Sequence, residues 1–167
     1  MREPLFFIRN HFYPNILCSA VPNYKKRASL LQPDDLRVEA NISSHPKQEG
    51  TWLASMQIST REEDIKNAKL PYVIFLQSFA ILEPCSNAGA IDPENLKELL
   101  YVNGATMMYT SAREYLRIIS APGPYGPIIL PTWRFSPEDI KQAQTTEEKN
   151  RKKTRKSKEI PKKQDKE

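Results

Sequence analysis

From Leu36 to Ser43 the chain alternates. Leu36, Val38, Ala40 and Ile42 fall on one side; Arg37, Glu39, Asn41 and Ser43 fall on the other. A period of two predicts a strand with one buried face. His45 to Gly50 is a turn. Trp52, Ala54, Met56 and Ile58 then alternate with Leu53, Ser55, Gln57 and Ser59, predicting a further strand. Tyr72 to Leu82, YVIFLQSFAIL, is apolar on nearly both faces, which predicts a central strand covered by a helix on one side. Before these, Phe6 to Val21 mixes aromatic and apolar residues, and Ile16, Cys18 and Ala20 against Leu17, Ser19 and Val21 fit a strand with two semi-apolar faces. Pro22-Asn23 ends it. Lys25 to Asp35, with Leu30 and Leu31 at its apolar centre, reads as a crossover loop, and Thr60 to Leu70 as a charged connection.

The period then changes. Asp92-Pro93-Glu94 is a helix start, with Asp as N-cap and Pro in the first helical position. Leu96, Leu99 and Leu100 follow. From Thr106 to Ser120, Met107, Met108, Ala112, Tyr115, Leu116 and Ile119 recur at three- and four-residue steps. Between the two runs, Asn103-Gly104 is by local rules a hairpin signal. Both flanks keep helical spacing, and one glycine costs a helix only about 1 kcal/mol, so a single long helix is the reading adopted. Ala121-Pro122-Gly123-Pro124 ends it. Tyr125 to Phe135 then holds six large apolar residues, too many to leave in water, while Pro127 and Pro131 prevent an ordinary ladder. Such a segment must lie on another surface. Ser136-Pro137-Glu138-Asp139 repeats the start signal for a short last helix. The expected class is α+β: a four-stranded antiparallel sheet with a long helix and a short C-terminal helix on one face.

Tyr109, Arg113-Glu114-Tyr115, a Pro/Gly turn, Pro127-Ile128-Ile129-Leu130-Pro131 and Phe135 resemble, in order, the C-terminal half of the SecB family of export chaperones. The match covers about a fifth of the chain and several offsets agree. SecB-like chains share the predicted element order. The resemblance implies an unbroken helix through Asn103-Gly104, with Gly104 admitting a neighbouring helix. It implies a homotetramer, a dimer of dimers, with Leu100, Gly104, Met107, Met108 and Tyr115 at the subunit interface. It implies unfolded polypeptide clients held without ATP or any cofactor, in grooves lined by Tyr24, Leu30, Leu31, Tyr125, Ile128, Ile129, Trp133 and Phe135. Family members that dock the SecA motor carry carboxylates near the first strand and the start of the fourth. Here the first strand, Ile16 to Val21, has no acid, and the fourth is entered through Lys69-Leu70-Pro71. That departure argues against the usual handover. SecB-like proteins outside export also exist, among them chaperones that guard an antitoxin from aggregation, so the resemblance implies a holdase in either protein export or protein quality control.

Charge is uneven. Residues 149–167 hold ten Lys/Arg against three Asp/Glu, a net +7; the preceding 148 hold the other fifteen Lys/Arg and seventeen Asp/Glu, a net −2. The pI near 9.2 therefore belongs to a basic tail, which is expected to be disordered beside a chaperone domain spanning 1–148. Such a tail reads first as solubilising; it also suits anionic lipid, RNA or an acidic partner. An RNA- or ribosome-associated role through it is the alternative function, although no aromatic interleaves its lysines for base stacking. Cys18 and Cys85 form no metal-binding spacing and no disulfide framework, which fits a reduced, cytoplasmic setting. Leu5 to Ile8 is too short for a signal-peptide core, and no apolar run is long enough to span a membrane. No nucleophile–base pair, glycine-rich phosphate loop or metal spacing points to an enzyme. His11 and His45 read as surface residues, and Asp34-Asp35 as turn charges.

Overall fold

The computed structural model describes residues 4–22, 24, 31–61 and 70–140. Leu30, the connection 62–69 and the basic tail 149–167 lie outside the described residues.

Four strands, β1 (Phe6–Ala20), β2 (Leu36–Ser44), β3 (Trp52–Thr60) and β4 (Tyr72–Pro84), form one antiparallel sheet. Their spatial order is β1-β4-β3-β2. The last three make a meander, while β1 lies against the far side of β4, so the chain crosses the sheet between β1 and β2. This puts β4 in the interior, where its two-sided apolar pattern belongs. β2, β3 and β4 pair in unbroken register, Leu36 opposite Thr60 through Ser44 opposite Trp52, and Trp52 opposite Leu82 through Ser59 opposite Phe75. The regular pleat turns Leu36, Ile42, Met56, Ile58, Ile74, Leu76 and Leu82 to one buried face.

β1 runs ten residues further back than the alternating stretch from Ile16. Its register slips twice, between Ile8 and Asn10 and between Phe12 and Asn15. Each slip inserts one residue and reverses which side chains face the core. A period-two count therefore fails across the first half of the strand.

α1 (Pro93–Ser120) lies across all four strands. The Asp92 carboxylate caps it, accepting from the backbone N–H groups of Glu94 at 3.2 Å and Asn95 at 3.4 Å. Leu100, Ala105, Met108, Ala112 and Leu116 face the sheet and are buried. The helix is continuous through Asn103-Gly104, and the Asn103 side-chain amide donates to the Leu99 carbonyl at 2.9 Å. Gly104 sits over β4, where a Cβ would come within 2.9 Å of Leu82 Cδ1. Within the chain, the close approach this glycine permits is to its own sheet. No helix among the described residues is long and apolar enough to cross a membrane.

After the proline turn the chain doubles back along α1. Ile128 lies beside Ser120, Pro131 beside Tyr109, and Phe135 beside Tyr101. A second helix, α2, begins at residue 137 and is described to 140. The Ser136 N–H donates to the Asp139 carboxylate at its start, at 2.8 Å.

Candidate client-binding site

The returning segment is held at three points. At its entry, the Tyr72 hydroxyl donates to the Gly126 carbonyl at 2.8 Å and accepts from the Tyr125 N–H at 3.2 Å. Tyr125 in turn donates to the Val21 carbonyl at 2.7 Å and meets Tyr24 edge-on at 5.2 Å. Next, Ser120 Oγ donates to the Leu116 carbonyl at 2.6 Å and accepts from the Ile128 N–H at 2.7 Å. Further on, the Tyr109 hydroxyl donates to the Pro131 carbonyl at 2.9 Å. These bonds satisfy backbone groups that Pro127 and Pro131 remove from any ladder.

Held this way, residues 127–130 alternate like a strand, and the phase then shifts by one residue before Trp133. Ile128, Leu130 and Phe135 turn inward and are buried; Ile129 is 44% exposed and Trp133 half-buried. Phe135 packs edge-on against Tyr101 and Tyr109, with centroids 6.4 and 5.9 Å away, and Trp133 lies 6.2 Å from Tyr109. Burial pushes the Tyr109 phenol up to about 12, partly offset by Arg113. Burial, reinforced by the Asp139 charge, does the same to Tyr101. Both rings are therefore neutral at physiological pH and pack as buried supports beneath the segment.

Between residues 132–137 and the outer side of α1 a cleft of about 870 Å³ stays open. Asn95, Glu98, Leu99, Val102 and Thr106 form its helical wall, and Trp133 faces them from the returning segment. Leu99 is 41% exposed although it neighbours the fully buried Leu100. The helix turns about 100° per residue, so consecutive leucines serve different surfaces. The floor is apolar and Glu98 and Arg134 stand among its lining residues. Such a trough takes aliphatic or aromatic side chains without reading their order.

Of the residues expected in a groove, Trp133 and Phe135 line this cleft. Tyr24, Leu31 and Ile128 are buried in the body, and Tyr125 belongs to the entry latch. Ile129 is exposed but does not line the cleft. Of the residues expected at a subunit interface, Leu100, Gly104 and Met108 are covered by the chain's own sheet. Met107 and Tyr115 are exposed at 49% and 37%. They share no stripe with Leu99, because each eight-residue step turns the helix by about 80°; Tyr115 points toward β1 and Leu99 toward the cleft. Tyr115 also stacks on Tyr13 of β1 at 5.0 Å, and Tyr13 shares a 2.8 Å hydrogen bond with Ser111. Leu99, Val102 and Thr106 were not expected at the site. Their signal is a second apolar row on the helix, offset from the core row.

The sheet face away from α1 is also unlike a charged docking plane. Phe7, Phe12 and Leu17 are exposed there, and Phe12 stacks on Phe79 at 5.7 Å. Leu17 stands opposite Phe75. Glu83 is the one carboxylate that β1 and β4 contribute, and it is paired with Arg9.

No protein-family model and no curated protein matches the sequence. Among solved structures, the chain is similar to a protein of unknown function from Streptococcus agalactiae, at 8% identity and a TM-score of 0.44 over 77% of this chain and 97% of that one. It is also similar to a Mycobacterium tuberculosis SecB-like chaperone, solved in complex with a ChAD peptide from the HigA1 antitoxin. That match has 15% identity and a TM-score of 0.53, and it covers 77% of this chain and 88% of the other. The chain therefore has a SecB-like fold.

Proposed function

We propose that this protein is an ATP-independent holdase, which keeps unfolded polypeptides from aggregating by seating their apolar side chains in the cleft between α1 and residues 132–137. The observation that carries the reading is the cleft itself: an open, largely apolar trough beside a hydrogen-bonded strap. The SecB-like chaperone of similar fold was solved with a bound peptide, which supports a peptide-like client here. Several weak contacts along one client chain, multiplied over the subunits of a homotetramer, yield tight overall binding. The exposed Met107 on the outer side of α1 supports assembly through the long helix. The aromatic open face of the sheet supports a role outside SecA-dependent export.

The test is light scattering from an aggregating client. A near-stoichiometric amount of the protein, without nucleotide, suppresses the signal; an unchanged signal at molar excess refutes the proposal. The +7 charge of residues 149–167 favours a second reading, RNA binding through the tail. Truncation after Thr146 separates the two, because a holdase keeps its activity and a tail-driven binder loses affinity.

A further inference from the structure

We infer that the cleft is shared with a segment of the chain's own tail, residues 156–163 (Lys-Ser-Lys-Glu-Ile-Pro-Lys-Lys), which competes with clients for it. The inference rests on the holdase reading of the same cleft and adds its regulation.

Geometry supplies the first argument. The described chain ends at Ile140, three residues past Pro137, which lines the cleft. Ile160 follows twenty residues later. Twenty residues can span at most about 70 Å, more than the roughly 42 Å length of the whole 28-residue helix. Every part of the cleft is therefore within reach.

Charge supplies the second. Glu98 lines the cleft, Glu94 stands one helical turn before it, and Glu138 and Asp139 follow Pro137. Of the lining residues Glu98 and Arg134 balance, and the flanking Glu94, Glu138 and Asp139 against Lys97 leave the surrounding sequence net negative, while residues 149–167 are net +7. Shape and polarity supply the third. Ile160 is the one large aliphatic side chain in that basic stretch, flanked by Lys158 and Lys162. An isoleucine suits the Leu99–Val102 floor, and its neighbouring lysines suit the rim carboxylates.

A tethered segment acts at millimolar effective concentration, so weak docking is enough. A cleft occupied two-thirds of the time weakens client binding about threefold. Clients with several apolar segments displace the tail, and short or weakly apolar ones are refused.

The test uses the full chain and a full-length variant carrying Lys158→Glu, Ile160→Asp and Lys162→Glu. Affinity for a fluorescently labelled, unfolded polypeptide is read by anisotropy. The variant binds about threefold tighter or more, and added salt tightens binding to the unaltered chain but not to the variant. A synthetic peptide of residues 153–167, added to the variant, changes tryptophan emission through Trp133, and Glu98→Lys in the variant weakens that response. Equal client affinity in the two forms overturns the inference, as does an emission change that tracks protein rather than peptide concentration, which marks a second copy as the occupant. A variant that binds clients more weakly also overturns it, since the tail then contacts client directly. If neither form binds client, the holdase reading fails, and the peptide titration alone decides whether the segment docks.

Discussion

Gly123 and Tyr72 meet where the helix gives way to the returning segment, and their coupling can be worked out from the structure. Tyr72→Phe removes a hydroxyl with two partners, the Gly126 carbonyl and the Tyr125 N–H. At about 1 kcal/mol for each partly buried bond, the cost is about 2 kcal/mol. Gly123→Ala places a Cβ 2.5 Å from that same hydroxyl, 3.0 Å from the Ser120 carbonyl and 3.2 Å from the Tyr72 ring. The hydroxyl must leave, so both bonds are lost, and the remaining crowding adds about 1 kcal/mol, for about 3 kcal/mol in all. In the double variant the hydroxyl is already gone and its bonds are counted once. The expected sum is about 3 rather than 5 kcal/mol, a coupling of about 2 kcal/mol. Urea unfolding of the four proteins, followed by circular dichroism, measures it. Additivity within about 0.5 kcal/mol would refute the latch as described.

Three further expectations concern the cleft, the buried tyrosines and the assembly. Trp133→Ala weakens client binding about tenfold or more, since burying an aromatic ring contributes about 2 kcal/mol; anisotropy titration checks it, with circular dichroism unchanged. Tyr101 and Tyr109 have folded-state pKa values near 12 against an ordinary 10. Their neutral forms are favoured by folding, so stability is intact below pH 10 and falls as pH rises from about 10 to 12; Tyr101→Phe flattens that decline in pH-dependent unfolding. Met107→Lys places a charge on the exposed side of α1; if the chain assembles through this helix as proposed, light-scattering mass falls while the fold persists.

Strands β2, β3 and β4 and both ends of α1 are legible in the sequence because their periodicity is unbroken and their caps use ordinary chemistry. The first half of β1 is not, since its two inserted residues each reverse the alternation. Asn103-Gly104 shows the limit of local rules. In isolation it favours a turn, but the packed sheet below makes the missing Cβ useful. The site was legible only in part. The apolar, proline-bounded segment announced a surface to lie on, yet its alternation assigns Ile128 and Leu130 to the core. The other wall comes from Leu99 and Val102, whose outward direction depends on how α1 is rotated over the sheet, and no single stretch of sequence carries that rotation.

Photo-crosslinking tests the central claim most directly. A photoreactive residue at Thr132, exposed at the cleft, is compared with one at Ser43, exposed on the edge strand β2. Capture of an unfolded, fluorescent client from position 132 and not from 43, weakened by Trp133→Ala, is the predicted result. Equal capture from both positions, or capture from 43 alone, contradicts the cleft as the place where clients bind.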